Sequence, residues 1–300
     1  MKDGFLKVAA VTPQIRVADV AYNTQQIITQ LEAAADLGAR LIVFPELCLC
    51  GYTCGELFLQ DALLRGCLQG LGQICEASEG TDALILVGLP LMVHHRLYNV
   101  AAVLKDGEIL GLVPKQYIPN YSEFYEARHF APAPSANEMI DLVPLGERGE
   151  GITFGPKQLF AAENYPDLVL GIDICEDLWM PVPPSCYHAM AGATVIANLS
   201  ASDETTGKEM YRRELVRNQS ARLLCGYLYA DAGEGESSTD LVFAGHNIIA
   251  ENGSILAQTR RFTHGIAITE LDLGKLVSER RRMTTFPVHS PEEDGYETAW

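Results

Sequence analysis

Short apolar segments that alternate with helical patterns are the sequence feature that most constrains the fold of this chain. Residues 6–11, 41–44, 83–89, 168–174 and 194–198 are short and mostly apolar, as expected of strands buried on both faces of a sheet. Longer amphipathic or charged stretches stand between several of these segments. This alternation predicts an α/β fold in which helices pack outside sheets.

Helices are predicted where apolar residues recur at helical spacing between start and stop signals. The first is expected to begin at Asn23, whose side chain suits an N-cap, and to end at Gly38. Three more are expected at residues 56–77, 208–224 and 273–282. Asp106-Gly107 and Asn252-Gly253 each stand between two apolar runs, and such dipeptides predict β-hairpins with two-residue turns.

A change in composition near residue 287 separates a predicted domain from a tail. Residues 1–286 carry all of the predicted strands and helices, whereas residues 287–300 are polar, acidic and poor in core-forming side chains. We therefore expect one domain over residues 1–286 and a linker or disordered end over residues 287–300.

The charge of the chain argues against several kinds of partner. The 300 residues, 48% of them hydrophobic, can bury a large core, and the formal net charge of -17 repels nucleic acids and anionic lipid surfaces. No apolar run reaches the roughly 18 residues of a membrane span, and residues 1–4 lack a signal-peptide profile. We expect a cytoplasmic protein that binds neither nucleic acid nor membrane.

The eight cysteines are expected to be reduced thiols, as is usual in the cytoplasm. Cys48, Cys50 and Cys54 lie close together in sequence, but no second cluster with zinc-type spacing accompanies them. Small buried thiols explain this cluster better than a metal site, so no metal is expected.

Glu46, Lys115 and Cys175 each follow an apolar strand directly, and sites in layered α/β proteins assemble at strand ends. Each residue alone has a simpler explanation: a cap or surface charge, a solvated lysine, and a buried core cysteine. Together they provide what amide hydrolysis requires. A thiol is a weak nucleophile until a base such as a desolvated carboxylate removes its proton, and an ammonium group favours both the thiolate and the developing alkoxide.

The segments around these three residues resemble the Glu-Lys-Cys signature of the nitrilase superfamily in order and in position. Other segments resemble the N-terminal glutaminase domain of glutamine-dependent NAD synthetases, and the likeness covers about residues 5–286. The resemblance implies a four-layer αββα sandwich and makes residues 1–286 a nitrilase-like glutaminase domain. The matching segments are 44–47, 114–115, 174–179, 119–126, 198–202, 233–240 and 280–282.

The resemblance implies a role for each catalytic residue. Cys175 attacks the side-chain amide of glutamine, and Glu46 carries the thiol proton to the departing ammonia. Lys115 and the backbone N–H of Glu176 hold the oxyanion, and water then hydrolyses the thioester. Glu123 corresponds to the second glutamate of the superfamily, which positions the substrate and the lysine, with a plain ion pair to Lys115 as the alternative.

The resemblance also implies how glutamine is selected. Glu176 faces the substrate amino group, and Lys208 stands where relatives can carry an arginine, so the bidentate contact to a carboxylate is lost. Core packing is the alternative role for two aromatic residues, Tyr52 and Phe124. The implied substrate-binding residues are Tyr52, Tyr121, Phe124, Glu176, Ser202 and Lys208.

No segment of the sequence suits nucleotide binding: a Ser-Gly-Gly-x-Asp-Ser loop, a Walker loop and a Rossmann glycine pattern are all missing. This domain is therefore expected to need no cofactor. ATP and deamido-NAD are expected only in a synthetase domain in cis, outside these residues, which would use the ammonia to make NAD. L-glutamine is the expected substrate, and members of the family usually form homo-oligomers.

Two other functions stay open at this point. One is a free-standing ω-amidase or carbamoyl-amine hydrolase of the same superfamily, which a substrate panel would distinguish. The other is a catalytically silent domain kept for assembly or regulation, against which the intact set of Glu46, Lys115 and Cys175 argues.

Overall fold

A computed structural model describes residues 4–299 and contains two mixed β-sheets that lie face to face, with helices on both outer sides. The expected αββα sandwich is confirmed. Apolar side chains fill three spaces: between the first helices and the first sheet, between the two sheets, and between the second sheet and the remaining helices. Burial of this apolar surface holds the layers together.

The strands and helices follow the predicted alternation closely. The strands are β1 (Phe5–Thr12), β2 (Leu41–Val43), β3 (Leu84–Val93), β4 (Arg96–Lys105), β5 (Glu108–Pro114), β6 (Glu138–Ile140), β7 (Ile152–Phe154), β8 (Gln158–Ala162), β9 (Tyr165–Ile174), β10 (Val195–Ser200), β11 (Gly226–Asp231), β12 (Ile248–Glu251), β13 (Ser254–Gln258), β14 (Gly265–Asp272) and β15 (Glu297–Ala299). The helices are α1 (Val20–Asp36), α2 (Asp61–Ala77), α3 (Pro184–Met190), α4 (Lys208–Leu223) and α5 (Leu273–Arg282).

The first sheet has the strand order β14-β1-β2-β3-β4-β5-β7-β6, and the second has the order β13-β12-β11-β10-β9-β8-β15. Strands β1, β2 and β3 pair in parallel, as do β9, β10 and β11. The carboxyl ends of parallel neighbours lie at the same edge of a sheet. The backbone N of Ala201, beyond β10, donates to Glu46, beyond β2, at 2.9 Å, so the carboxyl ends of the parallel strands of both sheets meet at one end of the sandwich.

Two predicted helix boundaries are wrong for local reasons. Helix α1 begins at Val20 and is capped by Asp19, which accepts a hydrogen bond from the backbone N of Tyr22 at 3.2 Å. Asn23 instead turns inward and bonds the backbone of Arg16 and Leu49. The helix predicted over residues 56–77 is divided into a short 3₁₀ turn and α2.

Within residues 4–299, no helix is long and apolar enough to cross a membrane.

Both predicted hairpins form with two-residue turns. Asp106 and Gly107 have φ angles of 48° and 82°, and Asn252 and Gly253 have φ angles of 42° and 84°. Two consecutive positive φ angles are typical of the turn whose twist matches that of the flanking strands. The first of these hairpins joins β4 to β5 and so places Lys115 directly after a central strand.

The prediction of a disordered end is wrong for the described part of the tail. Glu297–Ala299 pairs in parallel with Gln158–Phe160 of β8. Tyr296 is 7% exposed and packs in the core between the second sheet and its helices. One aromatic anchor and three paired residues hold this polar segment on the domain, which composition does not reveal. The linker role of residues 287–300 stays a prediction, and residue 300 lies outside the described residues.

Candidate active site

Glu46 lies in the loop after β2, and both of its carboxylate oxygens are held. Oε1 accepts hydrogen bonds from Lys115 Nζ at 2.7 Å and from Asn99 Nδ2 at 2.6 Å. Oε2 accepts one from the backbone N of Ala201 at 2.9 Å. The side chain is buried, so its position is set by protein groups from both sheets.

Gly88 on β3 allows the loop that carries Glu46 to pack closely against the sheet. A Cβ atom at this position would lie 2.4 Å from the backbone N of Leu47 and 2.6 Å from the carbonyl oxygen of Pro45. Leu47 itself has a φ angle of 51°, a conformation that bulky residues rarely adopt. A glycine at position 88 therefore sets how deeply Glu46 reaches into the site.

Lys115 is the centre of the buried charges. Its Nζ donates to Glu46 and also to both oxygens of Glu126, at 2.7 and 2.9 Å. Burial lowers the pKa of the lysine, but Glu126 and Glu46 more than offset this and raise the pKa well above its ordinary value. The ammonium group therefore stays charged although no part of it is exposed.

The second glutamate at the lysine is Glu126, and the assignment of Glu123 to this position is wrong. Glu126 is buried and accepts a further hydrogen bond from Tyr52 at 2.7 Å. Burial raises the pKa of Glu126 to about 7, although Lys115 opposes this shift. Glu123 is only half-buried and lies on the cavity wall. Both glutamates belong to the matching segment at residues 119–126, and the local sequence pattern does not distinguish the buried glutamate from the half-buried one.

Cys175 follows β9 at the first residue of a 3₁₀ turn and has a φ angle of 43°. This conformation is uncommon for a side chain with a Cβ atom, and such strain concentrates at functional sites. The backbone N of Cys175 donates to Asn198 Oδ1 at 3.1 Å. Asp177 accepts from the backbone N of Ile174 and of Tyr117, both at 2.9 Å. These bonds hold the strained turn in place.

The thiol of Cys175 is in its protonated form at rest. Burial raises its pKa well above the ordinary value and Glu46 adds to this, whereas Lys115 and a hydrogen bond from Ser200 act in the opposite direction. The thiol therefore becomes a nucleophile only when a base takes its proton during the attack. Ser200, whose hydroxyl lies 2.6 Å from that of Tyr229, was not among the predicted site residues.

A cavity of about 460 Å³ opens above Cys175 and collects most of the predicted substrate residues. Tyr52 is the exception, because it lines a neighbouring cavity of about 170 Å³ together with Glu123 and Glu126. Its hydroxyl bonds Glu126, so its placement supports the lysine. The predicted residues in the larger cavity are Tyr121, Glu123, Phe124, Cys175, Glu176, Ser202 and Lys208.

The larger cavity has charges of opposite sign in its walls. Glu176, the pKa of which burial raises, accepts a hydrogen bond from Tyr121 at 2.9 Å. Lys208 lies at the start of α4, is paired with Asp203, and its Nζ is 5.2 Å from the ring centre of Trp179. An anionic and a cationic side chain in one cavity suit a ligand that carries both an ammonium and a carboxylate group. Asp203 and Trp179 were missed from the sequence.

The cysteine cluster at residues 48–54 is distinct from this site. Cys48, Cys50 and Cys54 are buried free thiols, and burial raises the pKa of Cys48 to about 12. Within residues 4–299, no group of three or more His, Cys, Asp or Glu side chains could hold a metal ion. Their side chains pack in the core between the first helices and the first sheet.

Comparison with known sequences gives a consistent family. The carbon-nitrogen hydrolase family matches residues 7–281. The glutamine-dependent NAD(+) synthetase of Mycobacterium tuberculosis is 44% identical over 285 residues, which are 94% of this chain and 41% of that protein. The synthetase of the same name from Aquifex aeolicus is 30% identical over 268 residues, or 89% of this chain and 42% of that protein. The chain thus spans about two fifths of the length of these relatives.

Comparison with solved structures agrees with the sequence comparison. A glutamine-dependent NAD(+) synthetase from Cytophaga hutchinsonii superposes with a TM-score of 0.79 at 25% identity, over 89% of this chain and 43% of that chain. Nit3 of Saccharomyces cerevisiae, a member of the nitrilase superfamily, has a TM-score of 0.71 at 18% identity, over 94% of this chain and 95% of that chain, and so shares the fold. By its matching residues and its fold, the chain belongs to the carbon-nitrogen hydrolase family and is an enzyme of that class.

Proposed function

We propose that this enzyme is a glutaminase that hydrolyses the side-chain amide of L-glutamine through a thioester on Cys175. The observation that carries the proposal is Lys115, which is buried between Glu46 and Glu126 and is close enough to Cys175, on the wall of the larger cavity, for its charge to lower the pKa of the thiol. Opposite charges at Glu176 and Lys208 favour a free amino acid over an uncharged amide.

In the first half of the reaction, the sulfur of Cys175 forms a bond to the amide carbon while Glu46 takes the thiol proton. The carbonyl oxygen becomes an oxyanion, which the ammonium of Lys115 and the backbone N–H of Glu176 stabilise. Glu46 then passes its proton to the amide nitrogen, the C–N bond breaks, and ammonia leaves. Buried donors that are already oriented need little rearrangement during this step.

In the second half, Glu46 takes a proton from water and the resulting hydroxide attacks the thioester. The tetrahedral intermediate again carries its charge beside Lys115. Its collapse breaks the C–S bond, the sulfur regains the proton from Glu46, and glutamate is released. Glu126, held by Tyr52, keeps the lysine in place and balances its charge throughout the cycle.

We place this reaction in NAD biosynthesis because the synthetases of M. tuberculosis and A. aeolicus match nearly the whole chain. The ammonia would serve the ATP-dependent amidation of deamido-NAD by a synthetase domain in cis, and ATP and deamido-NAD would bind there.

The eight free cysteines suit a cytoplasmic enzyme. Met210 and Tyr211 on α4, both exposed, offer apolar surface for assembly into a homo-oligomer.

The proposal is tested by measuring glutamine hydrolysis by the Cys175→Ala variant. Its turnover rate should be lower than that of the unaltered protein by a factor of at least about 10,000. Cys186→Ala is the matched control, because Cys186 is a partly buried free thiol on α3, and its turnover should equal that of the unaltered protein. Undiminished hydrolysis by Cys175→Ala would exclude the mechanism. A preference for long ω-amides or carbamoyl amines over glutamine would exclude the substrate.

A further inference from the structure

A chain of buried polar groups joins the segment 287–299 to the backbone of the proposed nucleophile. It begins at Tyr296, the hydroxyl of which lies 2.8 Å from His188 Nδ1 on α3. It ends at Asn198 of β10, which accepts from the backbone N of Cys175 at 3.1 Å. Its five members, all 7% exposed or less, are called the Tyr296 network: Tyr296, His188, Asp173, Tyr227 and Asn198.

The direction of the first hydrogen bond follows from the state of the histidine. Burial lowers the pKa of His188 to about 4, so the ring is neutral and carries one proton. Nε2 lies 3.1 Å from the carbonyl oxygen of Ile172, which can only accept, so the proton is on Nε2. Nδ1 is then the acceptor, and the hydroxyl of Tyr296 is the donor. Phenylalanine at position 296 would leave this acceptor unpaired.

The middle of the network lies on two neighbouring strands and connects to a third. Asp173 and Asn198 are register partners in the parallel β9–β10 ladder. Tyr227 of β11 donates to Asp173 Oδ2 at 3.2 Å and accepts from Asn198 Nδ2 at 3.3 Å. Asp173 Oδ1 faces His188 Nε2 at 3.7 Å, and hydrogen bonds from Ser185, on the same helix as His188, oppose the rise in the pKa of the Asp173 carboxyl group. A shift of the imidazole therefore changes the surroundings of Asp173 directly.

The end of the network acts on a backbone that is already strained. Cys175 has a φ angle of 43°, and the side chain of Asn198 provides the acceptor for its N–H. A turn of this kind keeps its conformation only while neighbouring bonds hold it. Small displacements of a nucleophile are costly, since about 1 Å can change a rate by a factor of about 100.

We propose that Tyr296 is a positioning residue for Cys175, acting through His188, Asp173, Tyr227 and Asn198, so that the enzyme works at full rate only while residues 287–299 are docked. The consequence for catalysis depends on the proposed glutaminase function, whereas the geometry of the network does not. A partner domain that pulls on this segment would thereby slow the nucleophile without touching the substrate cavity.

The test compares Tyr296→Phe, Tyr227→Phe and the double variant, with Tyr187→Phe as control because Tyr187 precedes His188 on α3 and is 51% exposed. Two rates are measured well below the unfolding temperature: glutamine turnover, and alkylation of Cys175 by iodoacetamide, followed by peptide mass. Alkylation reports on the nucleophile whether or not glutamine is the substrate. If the unaltered protein alkylates at Cys175 but hydrolyses no glutamine, the proposed function fails and the network is still tested.

We expect Tyr296→Phe to lower kcat and the alkylation rate about 3- to 20-fold with KM nearly unchanged. The double variant should be no slower than Tyr227→Phe alone, because both changes interrupt one chain of contacts. Rates equal to those of Tyr187→Phe would overturn the proposal, and so would losses that simply multiply in the double variant. Faster alkylation of all cysteines would also overturn it, since it would show that the segment only holds the domain closed.

Discussion

The base of the active site and its entrance are built in different ways. At the base, Lys115 is buried and donates a hydrogen bond of 2.7 Å to each of two buried glutamates, Glu46 and Glu126. At the entrance, Tyr121 is 55% exposed and Glu123 is half-buried, and both lie in a loop. The base is therefore organised before substrate arrives, whereas the entrance can adapt to it. Changes at the base should alter kcat, and changes at the entrance should alter KM.

The largest effect expected from this contrast separates two glutamates that lie three residues apart. Glu126→Gln keeps the shape of the side chain but removes one of the two carboxylates that hold Lys115. We expect kcat for glutamine to fall about 100-fold or more. Glu123→Gln is the matched control and should change kcat less than about 5-fold, because a half-buried charge is screened by solvent. Equal losses in the two variants would contradict the assignment of Glu126.

The second prediction moves the base without changing any of its polar groups. In Gly88→Ala, the new methyl group would meet the backbone of Leu47 and Pro45, so the loop that carries Glu46 has to shift. We expect kcat to fall about 30-fold and the protein to lose about 1–3 kcal/mol of stability. Gly66→Ala is the control, since its Cβ would meet Val20 at an ordinary 3.6 Å. Normal turnover in Gly88→Ala would show that the loop tolerates displacement.

A smaller effect is expected at the entrance. Lys208→Met keeps the aliphatic stem near Trp179 but removes the charge paired with Asp203. The KM for glutamine should rise about 10-fold with kcat nearly unchanged, as expected for one hydrogen bond to a charged group. Arg213→Met, on the exposed side of the same helix, should leave both constants unchanged. A fall in kcat without a change in KM would place Lys208 with the base.

The smallest effect concerns how the stability of the protein depends on pH through the buried carboxyl group of Asp173. Burial raises the pKa of Asp173 from 3.8 to about 7, so the folded state binds this proton more tightly than the unfolded state does. Stability from this group is present below about pH 4 and is lost as the pH rises through 7. Asparagine stays neutral at every pH. The stability of Asp173→Asn relative to that of the unaltered protein should therefore be higher at pH 8 than at pH 5. Thermal unfolding at both values measures this, with Glu163→Gln, on the exposed β8–β9 turn, as control. If the unfolding temperatures of Asp173→Asn and of the unaltered protein differ by the same amount at both pH values, the prediction is contradicted.

The sequence alone predicts those residues of the site that come shortly after a strand in the chain. Glu46, Lys115 and Cys175 each follow a strand that a short apolar run marks, and the hairpin at Asp106-Gly107 sets the end of β5. The choice between Glu123 and Glu126 could not be made this way. It depends on the direction that a loop takes over the sheet, and local pattern carries little information about that direction.

The sequence by itself determined the alternation of strands and helices, the two turns and three strand-end residues, because each depends on neighbours within a few positions. Only the tertiary structure decided which glutamate meets Lys115, that Asn198 holds the backbone of Cys175, and that Tyr296 reaches His188 across 108 residues. Such contacts form after the layers have packed. Their geometry follows from how the sheets and helices fit together, which is a property of the whole fold.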